Sequence, residues 1–345
     1  MKKVCFAAAI ALTPLLAHAQ GSVTMYGIID TYVEYAHGVT DSAGNSTNVF
    51  RTGNAGTYGS RWGLKGTEDL GGGYAAVFDL QQGFRLTNGT IPGGAGYAFA
   101  RISTVGFSSP FGKLTFGRNY NLNAYTADLD PLYQAQYSSS SLLFYRNQTF
   151  TDNAVTFASA PFHGVTANFQ YGFGNVAGNF QAGKTFGAQL RYDGSWLSAV
   201  AHYDEIRDPN GALSNLWAYS REYIVQARVN YQSAGFYVGY TGLSAPDASA
   251  GSPTHADEGW VGVGYQFTPA LYASTGVYHI VAGDAGRATL VAARAEYSLS
   301  KRTTLYLAGS YVMNSTHAEF AFNGIDTPTA GTNQFGTMAG IRVSF

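Results

Sequence analysis

From residue 22 onward, apolar and polar residues alternate at a period of two almost throughout. Over residues 222–231, Tyr223, Val225, Ala227, Val229 and Tyr231 share one parity. Glu222, Gln226, Arg228 and Asn230 share the other, with Ile224 the single exception. Successive side chains of a strand point to opposite faces, so this stretch predicts a strand with one apolar and one polar face. Residues 165–173 repeat the pattern, with Val165, Ala167, Phe169, Tyr171 and Phe173 opposite Thr166, Asn168 and Gln170. Residues 186–193 repeat it again, with Phe186, Ala188, Leu190 and Tyr192 opposite Gln189, Arg191 and Asp193. Near 290 the polar set is Arg294, Glu296 and Ser298, opposite Ala293, Ala295, Tyr297 and Leu299.

The connections alternate in length as well. Short turns fall at 68–73, 108–112, 160–164, 193–195, 232–235, 267–270 and 299–302. Longer stretches fall near 38–57, 86–96, 121–148, 175–183, 207–219, 246–257, 283–287 and 314–332. Seven short and eight long connections predict sixteen strands. An even number of strands about 10 residues long, with short turns at one end and long loops at the other, is the pattern of an outer-membrane β-barrel. A soluble sandwich would carry a turn signal every 8–12 residues or so. No helical window stands out beyond the leader, apart from a short turn inside 121–148. The chain predicts an all-β fold: a 16-stranded antiparallel transmembrane barrel, one domain over residues 20–345.

Composition sharpens this picture. Of 345 residues only 12% are charged, while 15% are aromatic (25 Tyr, 22 Phe, 4 Trp) and 43 are Gly. The low charge and aromatic load exclude a disordered chain. A formal net charge of −1 gives no basic footprint for nucleic acid. Mean hydropathy is −0.07, and no mature segment approaches 18 consecutive apolar residues, so no spanning helix is expected. Aromatic residues near strand ends, including Tyr171, Phe173, Trp196, Tyr231, Trp260 and Phe267, fit girdles at the lipid headgroup level. Residues 1–19 read as a secretory signal peptide: Lys2 and Lys3, an apolar stretch Val4–Leu16, then Ala17-His18-Ala19 as a small-x-small cleavage site. Its removal would also remove the single cysteine, Cys5, so no disulfide framework is expected.

Several chemical signatures fail on context. Residues 178–185 satisfy the phosphate-loop pattern G-x-x-x-x-G-K-[ST], but the segment from Thr185 alternates as a strand where that loop needs a helix. The mature histidines, His37, His163, His202, His255, His279 and His317, stand at no metal-ligand spacing from one another, and no metal site or cofactor is expected. No G-x-S-x-G elbow occurs.

Four stretches carry a specific likeness. Residues 22–30 (SVTMYGIID) resemble the first strand of Gram-negative general porins, and 60–73 (SRWGLKGTEDLGGG) resemble their second strand and first periplasmic turn. Residues 111–120 (FGKLTFGRNY) resemble the strand that runs into the constriction loop, and 340–345 (GIRVSF) the closing strand with its terminal Phe. The likeness covers the mature chain and is nearest the beta-proteobacterial branch. It implies a homotrimer in the outer membrane, in contact with lipid and lipopolysaccharide, whose third loop folds inward to narrow a water-filled pore. It also implies that Phe345 is read by the outer-membrane assembly machinery.

If apolar residues face lipid, the polar parity faces the lumen. Arg61 and Lys65 oppose Trp62 and Leu64, while Asp79 and Arg85 oppose Phe78 and Leu80. Asp30 and Glu34 oppose Ile29 and Val33, and Arg101 opposes Ile102. Arg118 shares parity with Leu114 and Phe116, so a lumenal place for it requires a bulge or a strand end at Gly117. By the resemblance, Arg118 and Arg146 belong to the basic wall of the constriction, and Asp128 and Asp130 are the third-loop acids across from it. Solvated loop acids are the alternative for Asp128 and Asp130. Six positive against five negative groups is nearly balanced, and with the arginines on rigid strands a weak anion preference is expected. The leading function is passive diffusion of ions and small hydrophilic solutes, not catalysis. An outer-membrane barrel enzyme and an adhesive barrel are the competing readings, separable by planar-bilayer conductance.

Overall fold

The computed structural model describes residues 21–92, 96–143 and 150–345. Seventeen strand segments lie among them. They are β1 (Ser22–Thr40), β2 (Ser46–Asn54), β3 (Arg61–Gly71), β4 (Tyr74–Gly83), β5 (Ile102–Ser109), β6 (Gly112–Tyr120), β7 (Phe150–Ser159) and β8 (Val165–Gly172). There follow β9 (Thr185–Asp193), β10 (Leu197–Ile206), β11 (Arg221–Tyr231), β12 (Ala234–Ser244), β13 (His255–Gln266), β14 (Leu271–Val281), β15 (Arg287–Ser298), β16 (Thr303–Asn314) and β17 (Gln334–Ser344).

β2 and β3 both pair with β1, β3 against Ser22–Ile28 and β2 against Thr31–Thr40, so they are two halves of one barrel strand. The other end of the sheet returns to β1 through β17, from Ile28↔Ser344 to His37↔Phe335. The result is a closed antiparallel barrel of sixteen strands. Closure leaves no sheet edge, which a wall in hydrocarbon requires because each unpaired N–H or C=O there costs several kcal/mol. The chain seals its own seam: Gly27 N donates to Phe345 O and Phe345 N to Gly27 O, each at 3.0 Å.

The break between β2 and β3 has a residue-level cause. The Asp30 carboxylate, fully buried on β1, accepts from the backbone N–H groups of Gly56, Thr57 and Tyr58 at 2.9–3.0 Å. It also accepts from the hydroxyl of Tyr306 at 2.6 Å. This pulls residues 55–60 off the ladder and into the interior. The long loop expected over 38–57 is therefore mostly strand, with only 41–45 as its tip. Over Ser46–Asn54 the paired ribbon lacks a continuous apolar face, and the apolar alternation that marks a lipid-facing strand fades.

The outer face is apolar. Val23, Met25, Val105, Phe107, Val225, Val238, Val261 and Leu307 are each more than half exposed, the signature of a surface made for lipid. Phe173, Trp196, Tyr231 and Phe267 are exposed close to strand ends, as girdle residues are. Trp260 departs from that expectation. It lies on the opposite parity from Val261, is 3% exposed, and its ring sits 6.3 Å from that of Tyr278 in the interior.

The long segment after β6 enters the barrel. It holds a 3-10 turn over Leu122–Leu129 and one α-helical turn, Ser139–Leu142. Leu122, Leu129, Leu132, Leu142 and Leu143 are all buried, an unusual leucine content for a loop. Leu132, Leu142 and Leu143 pack in one cluster with inward residues of the wall such as Tyr32, Tyr278 and Leu290. This loop is the object around which the functional site is built.

Candidate functional site: a charged lumen narrowed by the third loop

Two cavities flank the inserted loop. The first, of 460 Å³, is bordered by Arg61 of β3, by Arg85 and Arg101 from the connection between β4 and β5, and by Tyr125, Tyr133 and Gln134 from the inserted loop. The second, of 410 Å³, is bordered by Asp79, Lys113 and Arg191 from the wall, and Tyr125 borders it too. Tyr125 thus stands at the divide, its hydroxyl donating to Asn119 Oδ1 at 3.3 Å.

The arginines of the first cavity are held without carboxylates. Arg61 Nη1 donates to Gly59 O at 2.9 Å. Arg101 Nε donates to Gln81 Oε1 at 2.9 Å, and its Nη2 donates to the Tyr120 hydroxyl. The Arg101 guanidinium lies 5.3 Å from the Tyr120 ring and 5.6 Å from the Phe150 ring. Among the described residues no ion pair involves Arg61, Arg85 or Arg101. Neutral acceptors fix Arg61 and Arg101, and π-faces flank Arg101, while their charge stays uncompensated; Arg85 is exposed.

The acids are arranged differently. Asp79 sits directly across from Lys65 on the neighbouring strand and accepts from the Tyr26 hydroxyl at 2.5 Å; Lys65 Nζ lies 5.2 Å from the Tyr26 ring. Asp128 is gripped by Arg191 on β9 through two bonds of 2.8 and 2.6 Å, a bidentate pair. Asp130 is fully buried. It accepts from Leu132 N at 2.7 Å, Ser139 Oγ at 2.6 Å and the Tyr278 hydroxyl at 2.9 Å. Burial raises its carboxyl above the ordinary aspartate range, and the three hydrogen bonds pull it part of the way back. Asp130 therefore knots the loop to the wall and faces no pore. Asp30 and Glu34 are likewise taken up by structure, Glu34 accepting from Arg51 Nε at 2.7 Å and from the Tyr137 hydroxyl at 2.6 Å.

Arg118 also departs from its expected place. The register shift after Gly117 is absorbed by β7, where Asn153 takes φ +49°, so β6 keeps its parity. Arg118 stays in register with Ser103, on the face of Leu114 and Phe116, and borders neither cavity. It pairs with Asp152 and its guanidinium lies over Tyr97 and Phe150. Arg146 lies outside the described residues.

Some charged residues of the interior were not among the candidates. Arg342 bonds Thr57 Oγ1 at 2.8 Å and Glu296 at 3.1 Å, and lies 4.9 Å from the Tyr58 ring. Arg294 bonds Leu132 O at 3.2 Å and lies 5.3 Å from the Tyr133 ring. Both rings border the first cavity. The parity signal for these was present: Arg342 alternates with Ile341 and Val343, and Arg191 and Arg294 stand on the polar faces of their strands.

A closed sheet with an apolar exterior, a polar interior and an inserted loop lined by fixed charge defines a membrane-spanning β-barrel channel. No helix among the described residues is long and apolar enough to cross a membrane. A family model described as Gram-negative porin matches residues 7–317. An outer membrane porin protein of Bordetella pertussis is 30% identical, over 93% of this chain and 97% of the relative. Outer membrane porin protein 32 of Delftia acidovorans is 32% identical over 62% of each chain. A solved anion-selective porin from Comamonas acidovorans shares the fold, with a TM-score of 0.80 at 24% identity over 94% of this chain and 100% of that one. The chain belongs to the Gram-negative porin family, and it is a channel of the outer membrane for passive diffusion.

Proposed function

We propose that this porin passes small hydrophilic solutes and ions with a weak preference for anions, set by Arg61, Arg85 and Arg101. The observation that carries the reading is the imbalance of free charge. Three guanidinium groups border one cavity with no carboxylate partner among the described residues, whereas Asp128, Asp130, Asp30 and Glu34 are engaged elsewhere. Fixed charge at a constriction biases ion passage. One unit charge seen from about 10 Å in water is worth roughly 0.4 kcal/mol, about twofold in a permeability ratio. Physiological salt screens it over about 8 Å, so three such charges give a bias and not a filter. Lys65 and Asp79, opposite each other, largely cancel, and Arg146 adds to the basic side.

In this reading the chain is exported by residues 1–19, which are then removed. Residues 20–345 assemble as a homotrimer among lipid and lipopolysaccharide, with Phe345 recognised by the assembly machinery. Solutes cross without chemical change. The test is Arg61→Gln/Arg85→Gln/Arg101→Gln in planar bilayers under a KCl gradient. The anion-to-cation permeability ratio should fall by up to about eightfold at low salt, about twofold per charge, and by less at 1 M. An unchanged ratio would remove these three residues from the selectivity site.

A further inference from the structure

We propose that the first cavity is a binding site for small aromatic carboxylates, which it holds in preference to aliphatic carboxylates of the same charge and similar size. It rests on the anion preference proposed for the same cavity and adds a preference among anions. Two features meet there that no single stretch of sequence displays: guanidinium groups with no ion pair among the described residues, and tyrosine rings beside them. The volume of 460 Å³ falls in the range of small-molecule sites.

The cations converge. Arg61 Nη1 donates to Gly59 O at 2.9 Å, and a Cβ on Gly59 would lie 2.9 Å from Arg101 Nη1. Both heads thus meet at Gly59, one from β3 and the other from the connection between β4 and β5. Like charges gathered in this way repel, and the neutral partners of Arg101, Gln81 and Tyr120, do not offset that. A carboxylate held between them does, and the planar fork of a guanidinium matches its two oxygens.

The rings supply the second half of the site. Tyr58 and Tyr133 both border the cavity, with centroids 6.4 Å apart and planes at 44°. Tyr58 comes from the segment that Asp30 draws off the ladder, its N–H donating to that carboxylate at 2.9 Å. Tyr133 comes from the inserted loop at φ +60°, followed by Gln134 at φ +50°. Residues with side chains seldom take this left-handed backbone, and such strain gathers at ligand sites. Each ring also carries a guanidinium, Arg342 at 4.9 Å from Tyr58 and Arg294 at 5.3 Å from Tyr133. These two arginines share Glu296, at 3.1 and 2.9 Å, so one acid serves two cations. A cation at a ring draws on its π-density, and a ring so polarised stacks better on the electron-rich ring of an aromatic anion. An aliphatic carboxylate meets the same guanidinium groups but offers no π-face.

The probes are benzoate and cyclohexanecarboxylate, alike in charge and close in size. Each is titrated at neutral pH onto the purified wild-type channel in planar bilayers at low KCl, and the fall in conductance is read. Benzoate should half-saturate at a concentration about three- to tenfold lower, the ordinary worth of an aromatic pair. Apolar burial alone would favour cyclohexanecarboxylate, the more apolar of the two. Tyr58→Leu and Tyr133→Leu should each bring the ratio towards one, and Tyr231→Leu, exposed at a strand end, should keep it. Arg61→Gln/Arg101→Gln should weaken both acids together. If a tyrosine variant fails to assemble, the wild-type comparison of the two acids decides. Equal half-saturation in the wild type would overturn the ring preference, and a reversal potential that keeps the chloride sign would then show that the anion reading stands. A cation-sign reversal potential with no response to either acid would overturn both.

Discussion

At the scale of single residues, the barrel separates charges that look alike in sequence. Arg101 and Arg118 are both arginines beside strand ends, yet Arg101 borders the first cavity and Arg118 borders neither. Arg101→Gln should therefore lower the anion-to-cation permeability ratio by about twofold at low salt, while Arg118→Gln leaves the reversal potential unchanged. A shift in Arg118→Gln equal to that of Arg101→Gln would place both at the constriction. The parity of apolar residues was enough to point Arg61, Lys65, Asp79 and Arg85 inward from sequence. It could not place Arg118, because which strand of a pair absorbs a register shift depends on the backbone, here Asn153 on β7. Nor could it tell an acid that faces water from one that ties a loop, since Asp128 and Asp130 differ only in partners supplied by distant strands.

At the scale of elements, the inserted loop is the part most open to perturbation. Its tether at Asp130 includes the Tyr278 hydroxyl, and Tyr278→Phe removes one hydrogen bond to a buried carboxyl, at a cost of about 1–3 kcal/mol. The expected outcome is noisier open-channel current with little change in mean conductance. Because burial raises the Asp130 carboxyl above 3.8, the protonated form is favoured in the folded loop. The stability this gives is complete below pH 3.8 and is lost as pH rises through the raised value. Current noise should accordingly fall as pH is lowered through the Asp130 titration, and Asp130→Asn should abolish the change. Noise that rises on acidification in the wild type would contradict this sign. Strand positions were legible because period-two alternation is imposed by lipid on one side and water on the other. The expected strands near 165–173, 186–193 and 222–231 coincide with β8, β9 and β11. The inward fold of the loop rests on leucines meeting wall residues such as Tyr278 and Leu290, a long-range contact that no local pattern encodes.

At the scale of the whole molecule, closure is what the account depends on. The seam joins β1 to β17 and ends on the paired Gly27–Phe345 hydrogen bonds, and a Cβ on Gly27 would strike the Phe345 ring. Deleting Phe345 removes that last pair, and most of the assembled, heat-modifiable species should disappear from unheated SDS gels while export continues. A normal amount of that species would show that the seam closes without its final residue. The even strand count and the alternation of short and long connections already required a barrel. The uneven sharing of free charge between its two cavities was visible only once the partners of each acid were known. The measurement that bears most directly on the central claim is the reversal potential of the purified wild-type channel in a tenfold KCl gradient. The account predicts large, steady conductance steps and a small reversal potential of the sign given by chloride carrying more current than potassium. A reversal potential of the opposite sign, or a bilayer that stays silent, would contradict it.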